Sequence, residues 1–272
     1  MGESPRVGPR VGLTLPTFVD SPDPALDAAR VADEGGLDGV FAFDHLWPIG
    51  RPERPALWSF GILGAVAAVT RQVSVGPFVA RVGLLPDDDL IDAFSALEAV
   101  AGHGRVIAAI GAGDLLSARE NLAYGVPYPS AETRLAAVGV MAGRLTSLGI
   151  TTWVGGNSEA AGAVARERGV ARNLWAATVE EVAEAGSGIG DVPRVTWGGQ
   201  VLVGRDDREM AALRAQYGDR AGLVSGTVVE VAAHLRMLGQ AGASWCVCAP
   251  LDYLARPEQA TETLCQVVEA VK

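Results

Sequence analysis

The chain has 272 residues, of which 49% are hydrophobic and 20% charged, a composition that suits one large α/β domain with a sizeable core. Its formal net charge is −10, and no run of sequence gathers lysines and arginines into a basic stripe, which argues against nucleic-acid binding. The most apolar stretch, Gly61 to Val69, is too short to span a bilayer, and residues 1–10 lack the apolar segment of a signal peptide. These features predict a soluble cytoplasmic protein, with a flexible N-terminus over residues 1–10 and one domain over 11–272.

Strand and helix patterns alternate along the chain. Short apolar runs predict eight strands, at Val11–Leu15, Gly39–Phe43, Val73–Ala80, Arg105–Ile110, Thr151–Val154, Asn173–Ala177, Val195–Val203 and Ser244–Cys248. Apolar residues at helical spacing fill the gaps, at 24–32, 59–70, 90–100, 135–148, 158–168, 178–185, 207–217 and 228–238. Alternating strands and helices favour a parallel sheet, and eight such units favour closure. The predicted fold is therefore an α/β class (β/α)8 TIM barrel.

The residues that follow the second strand are the main candidates for catalysis, because β/α barrels build their active sites at the C-terminal ends of the strands. His45 can exchange protons near neutral pH, and Asp44 beside it can contact a ligand or tune its charge. A histidine hydrogen-bonded to backbone at the start of a loop is the equally weighted alternative. His103, just before strand four, and His234, within a helix, are interpreted as structural.

Two glycine-rich strand ends are candidate binding loops. The loop after strand five precedes a helix, whose free N–H groups and dipole favour a phosphate; an ordinary turn with a good N-cap is the alternative. Its residues are Gly155, Gly156, Asn157 and Ser158. The loop after strand four contains Gly111 and Gly113 and lacks the spacing of a dinucleotide-binding fingerprint.

Tryptophans and cysteines allow weaker predictions. Trp47 and Trp58 flank a Pro-rich loop over the barrel mouth, where they would stack on a planar ligand or, alternatively, cover the core. Cys246, Cys248 and Cys265 have no histidine or further cysteine close in sequence, so they are interpreted as small buried hydrophobes and no metal is expected.

Four segments stand in an order typical of one known family. They are residues 29–40 followed by Asp44 and His45, residues 97–105 running into 110–113, residues 120–129 followed by Arg134, and residues 153–158. In this order and spacing the chain resembles the luciferase-like monooxygenase superfamily of β/α-barrel flavin and deazaflavin enzymes. The Asp-His pair resembles that of the branch that depends on coenzyme F-420.

The resemblance implies a cofactor in the barrel mouth, either the 5-deazaflavin coenzyme F-420 or FMN. It implies that Asp44 and His45 lie against the deazaflavin, with His45 active in proton transfer. It also implies a non-prolyl cis peptide bond behind the ring, which by position falls at Phe78–Val79. The phosphate side of the cofactor then falls on the loop 155–158, with the loop 111–113 as a further contact.

The resulting prediction is an oxidoreductase that transfers a hydride between coenzyme F-420 and a small organic substrate. Two alternatives remain open: an FMN-dependent monooxygenase that uses reduced flavin and oxygen, and a non-catalytic or degenerate flavin-binding barrel. Pro77 and Phe78 replace small residues of the family, and the segment 222–226 is compact, which favours the last alternative. A Phe78 side chain that filled the volume beside His45 would favour it further. Related barrels often dimerise near strands two and three, so helix 59–70 is the expected contact of a homodimer.

Overall fold

The computed structural model describes residues 8–48, 50–187 and 195–272, so residues 1–7 of the predicted flexible N-terminus lie outside it. The strands in the described ranges are β1 Arg10–Thr14, β2 Gly39–Ala42, β3 Ser74–Pro77, β4 Ala80–Arg81, β5 Ile107–Gly111, β6 Thr151–Gly155, β7 Ala171–Trp175, β8 Val195–Gly204, β9 Val224–Thr227 and β10 Ala243–Pro250. The helices are α1 Asp23–Glu34, α2 Ser59–Val69, α3 Asp87–Ala101, α4 Leu115–Ala123, α5 Ala131–Ser147, α6 Glu159–Arg168, α7 Val179–Gly186, α8 Asp207–Tyr217, α9 Val228–Gln240 and α10 Pro257–Val271.

The strands form a parallel barrel in the order β3-β2-β1-β10-β8-β7-β6-β5-β4. β3 closes it against the start of β5, where the Val75 N–H donates to the Arg105 carbonyl at 2.8 Å. Gly76 permits this closure, because a Cβ there would lie 2.0 Å from the Ile107 carbonyl oxygen. β3 pairs with β2 and β4 pairs with β5, so together they make one wall. The eight predicted strands are thus the eight barrel walls, and the predicted TIM barrel is confirmed.

Three elements were not predicted from the sequence. They are α4, α10 and β9, of which β9 pairs with residues 201–204 at the far end of β8. The segment 222–226, predicted to be a compact loop, therefore contributes a short additional strand outside the eight walls. Some strand bounds also differ from the prediction. β7 begins two residues earlier than predicted, and the predicted third strand is divided into β3 and β4.

Side chains alternate between the two faces of the barrel wall, as the pleat of a strand requires. On β2, Val40 and Ala42 belong to the large core between the strands and the helices, whereas Phe41 points into the barrel interior. The interior cluster comprises Phe41, Phe78, Ile107, Ala109, Trp153, Trp245 and Val247. Large aromatic side chains fill the barrel from within, so the space available to a ligand lies at the mouth.

The cysteines on β10 have the buried setting that the sequence predicted. Cys246 and Cys248 are fully buried in the outer core, and burial raises the pKa of Cys248 to about 12. Within the described ranges, no three side chains of the metal-ligating types are grouped to hold an ion. None of the helices in the described part of the chain has the length and apolarity needed to cross a membrane.

Candidate active site

Asp44 lies just beyond the C-terminal end of β2, where it is buried and fully engaged by the protein. Its carboxylate accepts hydrogen bonds from the Ser59 hydroxyl at 2.8 Å and from the Arg81 backbone N–H at 2.7 Å. Burial raises the pKa of Asp44, although both hydrogen bonds oppose that rise. Asp44 therefore ties the end of β2 to the start of α2 and to β4, and its contact with the cofactor stays a prediction.

His45 is held by a glutamate that lies 75 residues further along the chain. The Nδ1 atom of His45 lies 2.9 Å from Oε1 of Glu120, which is 2% exposed, whereas the imidazole is 22% exposed. Burial alone would raise the pKa of Glu120, but hydrogen bonds from His45 and Arg81 outweigh it and hold that pKa below its ordinary value. Since an ionised carboxylate only accepts hydrogen bonds, Nδ1 carries a proton in this contact, and a neutral imidazole in this tautomer presents a lone pair at Nε2.

Arg81 completes this network from the barrel wall. Its guanidinium is 4% exposed and donates to Oε2 of Glu120 at 2.5 Å and to the Asp44 carbonyl at 3.2 Å. The same group donates to Oδ1 of Asn121 at 2.7 Å and to the Ser117 carbonyl at 3.0 Å. One cation thus joins β2, β4 and α4. We call His45, Glu120, Arg81 and Asp44 the histidine network.

Glu120 and Arg81 of this network, and Asn121, which accepts from Arg81, are residues to which the sequence did not assign a role. Glu120 and Asn121 lie within a segment that carries the family resemblance, and Arg81 directly follows the predicted third strand, Val73–Ala80. The signal available in the sequence was the acidic and amide pair Glu120-Asn121 within that resemblance. Its connection to His45 depends on α4, which was not predicted.

The Phe78–Val79 peptide bond is cis, as predicted. The Phe78 ring points into the barrel, with its centroid 5.6 Å from that of Phe41, and a Cβ at Gly198 would lie 2.5 Å from its Cζ. The ring beside His45 is instead that of Phe18, at a centroid distance of 6.4 Å. Phe78 therefore does not take up the volume beside His45. The position of its side chain gives no support to a degenerate barrel.

Val79 explains two of the candidate binding glycines. A Cβ at Gly111 would lie 2.7 Å from Cγ2 of Val79, and a Cβ at Gly155 would lie 3.0 Å from its Cγ1. The two glycines therefore make room for the Val79 side chain at the ends of β5 and β6. Val79 is half-buried, so its outer surface forms an apolar floor at the mouth. Gly113 has φ +70° and turns the chain into α4.

The loop 155–158 is tied down by its own residues. The Asn157 side chain donates to the Trp175 carbonyl at 2.8 Å and accepts from the Trp175 N–H at 2.9 Å. Ser158 caps α6 by accepting from the Ala161 N–H at 3.2 Å. Arg172 donates to the carbonyls of all three residues from 156 to 158. Asn157 thus fastens the loop to β7, and the contact of this loop with a phosphate stays a prediction.

Aromatic rings extend the floor across the mouth. Phe18 stacks on Phe43 with centroids 6.0 Å apart, and Phe43 meets Trp175 edge-on at 6.1 Å. β2 and β7 are opposite walls of the barrel, so the second contact crosses its centre. Trp175 is 39% exposed and Phe43 is half-buried, which leaves apolar ring surface exposed at the mouth, and Phe18 connects this surface to His45. Such a surface, with one polar group at its margin, fits a planar ring system.

The two tryptophans of the Pro-rich loop have different settings. Trp47 stacks on Tyr124 with centroids 6.0 Å apart, close to the histidine network. Trp58 lies at the start of α2, where its ring packs against Phe60 at 5.9 Å, and Phe60 in turn contacts Phe94 of α3. Trp47 is therefore placed to form a wall of the site, and Trp58 belongs to the outer layer of helices.

Comparisons of sequence place the chain near enzymes that use coenzyme F-420, written F420 in their names. An F420-dependent glucose-6-phosphate dehydrogenase of Amycolatopsis mediterranei is 30% identical over 127 residues, which are 47% of this chain and 38% of that protein. The same enzyme of Microbacterium testaceum is 31% identical over 125 residues, 46% of this chain and 36% of that protein. The chain thus spans little more than a third of the length of these relatives. No protein-family model matches it.

Comparisons of structure cover nearly the whole chain. An F420-dependent secondary alcohol dehydrogenase in complex with an F420-acetone adduct has a TM-score of 0.76 at 15% identity, covering 97% of this chain and 99% of that chain. A type II Baeyer-Villiger monooxygenase of Pseudomonas putida in complex with FMN has a TM-score of 0.74 at 15% identity, covering 97% and 98%. At this identity the likeness shows the fold. Together with the sequence relatives, it confirms the resemblance to luciferase-like barrels and their F-420-dependent branch.

Proposed function

We propose that the chain is an oxidoreductase that depends on coenzyme F-420 and acts on a small organic substrate. The observation that carries this proposal is the histidine network: an imidazole bonded through Nδ1 to a buried ion pair, beside an apolar floor. The names of the curated relatives support the choice of cofactor. Coenzyme F-420, when bound, supplies the hydride chemistry of its deazaflavin.

The residues of the chain would divide the remaining work between binding and proton transfer. Val79, Phe43 and Trp175 hold the planar ring, and the loops 111–113 and 155–158 border its phosphate side. His45 accepts at Nε2 the proton released when a substrate hydroxyl becomes a carbonyl, or returns it in the reverse direction. A positioned base of this kind contributes about 10²- to 10⁴-fold to the rate.

The other members of the histidine network act through His45. Glu120 fixes the Nδ1–H tautomer at 2.9 Å and stabilises the imidazolium that forms when Nε2 takes a proton. Arg81 keeps Glu120 ionised through the 2.5 Å contact, and Asp44 holds the backbone of Arg81. The three residues are therefore positioning residues, and His45 is the catalytic one.

An FMN-dependent monooxygenase is the second candidate, because an FMN complex is among the solved structures with this fold. The cofactor that the chain binds more tightly distinguishes the oxidoreductase from the monooxygenase. We would titrate the purified chain with coenzyme F-420 and, separately, with FMN, following tryptophan fluorescence, since Trp175 forms part of the floor. Tighter binding of F-420 supports the proposal. Tighter binding of FMN would move the assignment to the monooxygenase, and binding of neither would leave the degenerate barrel.

Two variants test where the cofactor binds. Trp175→Ala removes the exposed ring from the floor and should weaken binding of F-420 at least about tenfold, since an aromatic stacking partner is lost. Trp58→Ala is the matched control, because it removes a ring that is 52% exposed but packs on the outer helices. Equal affinity of the two variants for F-420 would place the cofactor elsewhere.

A homodimer through α2 stays a prediction.

A further inference from the structure

The backbone of Trp175 is held by a side chain where the pairing of β7 with β6 has ended. The last pair of this ladder is Gly155 with Asn173, whose carbonyl accepts from the Gly156 N–H at 3.0 Å. Gly156 then turns the chain away at φ +143°. Where the next backbone pair of a parallel ladder would stand, the Asn157 carboxamide accepts from the Trp175 N–H at 2.9 Å and donates to the Trp175 carbonyl at 2.8 Å. Both backbone polar groups of Trp175 are therefore bonded to one side chain.

Asn157 reaches Trp175 from a backbone that is itself fixed. Arg172 is buried, at 9% exposure, and its guanidinium donates to the carbonyls of residues 156, 157 and 158. Gly162 of α6 makes room for this guanidinium, because a Cβ there would lie 2.7 Å from Nη1 of Arg172. The carboxamide of Asn157 is thus presented to β7 from a base that β7 and α6 hold together.

The position of the Trp175 backbone decides where the ring lies in the mouth. The chain turns sharply after this residue, since Ala176 has φ +52° and its N–H donates to the Gly198 carbonyl at 2.6 Å. The ring rests against the bare backbone of Gly198, where a Cβ would lie 3.2 Å from its Cε3. Its contacts with Phe43 and Phe78, both at 6.1 Å between centroids, are edge-on and tilted. Neither of these two contacts is a stack, so the orientation of the ring depends on the anchored backbone.

We propose that Asn157 is a positioning residue that sets the Trp175 ring across the barrel mouth. This inference rests on the proposed function for what the ring does there, which is to hold the planar part of the cofactor. The effect of Asn157 on the affinity for coenzyme F-420 is then exerted through Trp175. Because Asn157 is exposed, water can bond to the two backbone groups that its removal frees, so Asn157→Ala should still fold.

Fluorine NMR of the full chain, labelled with 5-fluorotryptophan, tests the placement of the ring without any cofactor. The chain has six tryptophans, and the resonance of Trp175 is identified by its loss in Trp175→Phe. In Asn157→Ala this resonance should shift or broaden, whereas that of Trp153, which is 2% exposed in the barrel interior, should stay in place. Thr178→Ala is the matched control, because it removes the N-cap of α7 close to Trp175 in the chain without touching the Trp175 backbone. An unchanged Trp175 resonance in Asn157→Ala, or an equal change in Thr178→Ala, overturns the proposal.

A double-mutant cycle separates an effect through Trp175 from a direct contact with the cofactor. Coenzyme F-420 is titrated into the wild-type chain, Asn157→Ala, Trp175→Ala and the double variant. Asn157→Ala should weaken binding about fivefold in the wild-type chain and have no further effect in Trp175→Ala. An equal effect in both backgrounds would mean that Asn157 contacts the cofactor itself, and it overturns the proposal. Failure of the wild-type chain to bind F-420 sinks the proposed function, and the fluorine NMR result then decides the placement of the ring on its own.

Discussion

Replacing Glu120 by glutamine should destabilise the protein strongly. The Glu120→Gln variant keeps the size of the side chain but removes the charge that compensates Arg81, whose side chain is 4% exposed. Removing one partner of a buried ion pair costs about 3–5 kcal/mol, because the remaining charge stays desolvated. The contact to Oε2 is short, at 2.5 Å, and the two side chains are only 4% and 2% exposed, so we expect a loss within this range.

The assay is urea unfolding at pH 7, followed by tryptophan fluorescence and circular dichroism, with the free energy of unfolding taken from the linear extrapolation. Arg81→Met combined with Glu120→Gln is the matched control, because it removes both charges and should recover part of the loss. A loss below about 1 kcal/mol in Glu120→Gln, or no recovery in the double variant, would refute the view that the pair is a buried and coupled unit.

The pH dependence of the same variant follows from the lowered pKa of Glu120. A carboxyl group whose pKa is depressed in the folded state contributes stability above its unfolded value and loses it as the pH falls through the folded value. The wild-type chain should therefore lose stability on acidification below about pH 4.3, the ordinary pKa of glutamate. Glu120→Gln should show a smaller loss over the same range.

Three further predictions concern the site, the barrel closure and acid stability. His45→Asn should lower turnover about 10²- to 10⁴-fold while F-420 affinity in the fluorescence titration stays within a factor of three. Gly76→Ala should prevent native folding, as judged by circular dichroism, because its Cβ would lie 2.0 Å from a carbonyl oxygen. Gly64→Ala is the control: a Cβ there meets open space in α2, so the free energy of unfolding in urea should rise by about 0.5–1 kcal/mol. Hydrogen bonds from Arg205, opposed by burial, lower the pKa of Glu209 from 4.5 to about 2, so Glu209→Gln should flatten the stability profile between these pH values; an unchanged slope would contradict that shift.

The fold could be predicted because most barrel walls leave a short apolar run in the sequence. Phe41 and its neighbours on β2 are buried on both sides, which makes such runs easy to recognise. The short strand β9 has one buried residue, Gly226, and no apolar alternation, so its pattern carries no strand signal. α10 did carry a signal, since Leu264, Val267, Val268 and Val271 recur at helical spacing and are all buried.

The site was predicted only in part, and α4 explains why. This helix exposes Leu115 and Leu122 and buries Glu120 and Asn121, which inverts the pattern by which amphipathic helices are recognised. His45 could be found from its place at a strand end. Its partner lies 75 residues away, and no spacing in the sequence connects the two. Gly111 and Gly155 were predicted to contact the cofactor; the side chain of Val79 lies against both, and the cofactor contact stays a prediction.

The most direct test of the central claim is a crystal structure of the full chain grown with coenzyme F-420. The account predicts the deazaflavin ring on the floor formed by Val79, Phe43 and Trp175, with His45 at its edge and Glu120 still bonded to Nδ1. A ring bound away from this floor would contradict it. So would the absence of bound cofactor at an F-420 concentration far above the dissociation constant found in the fluorescence titration.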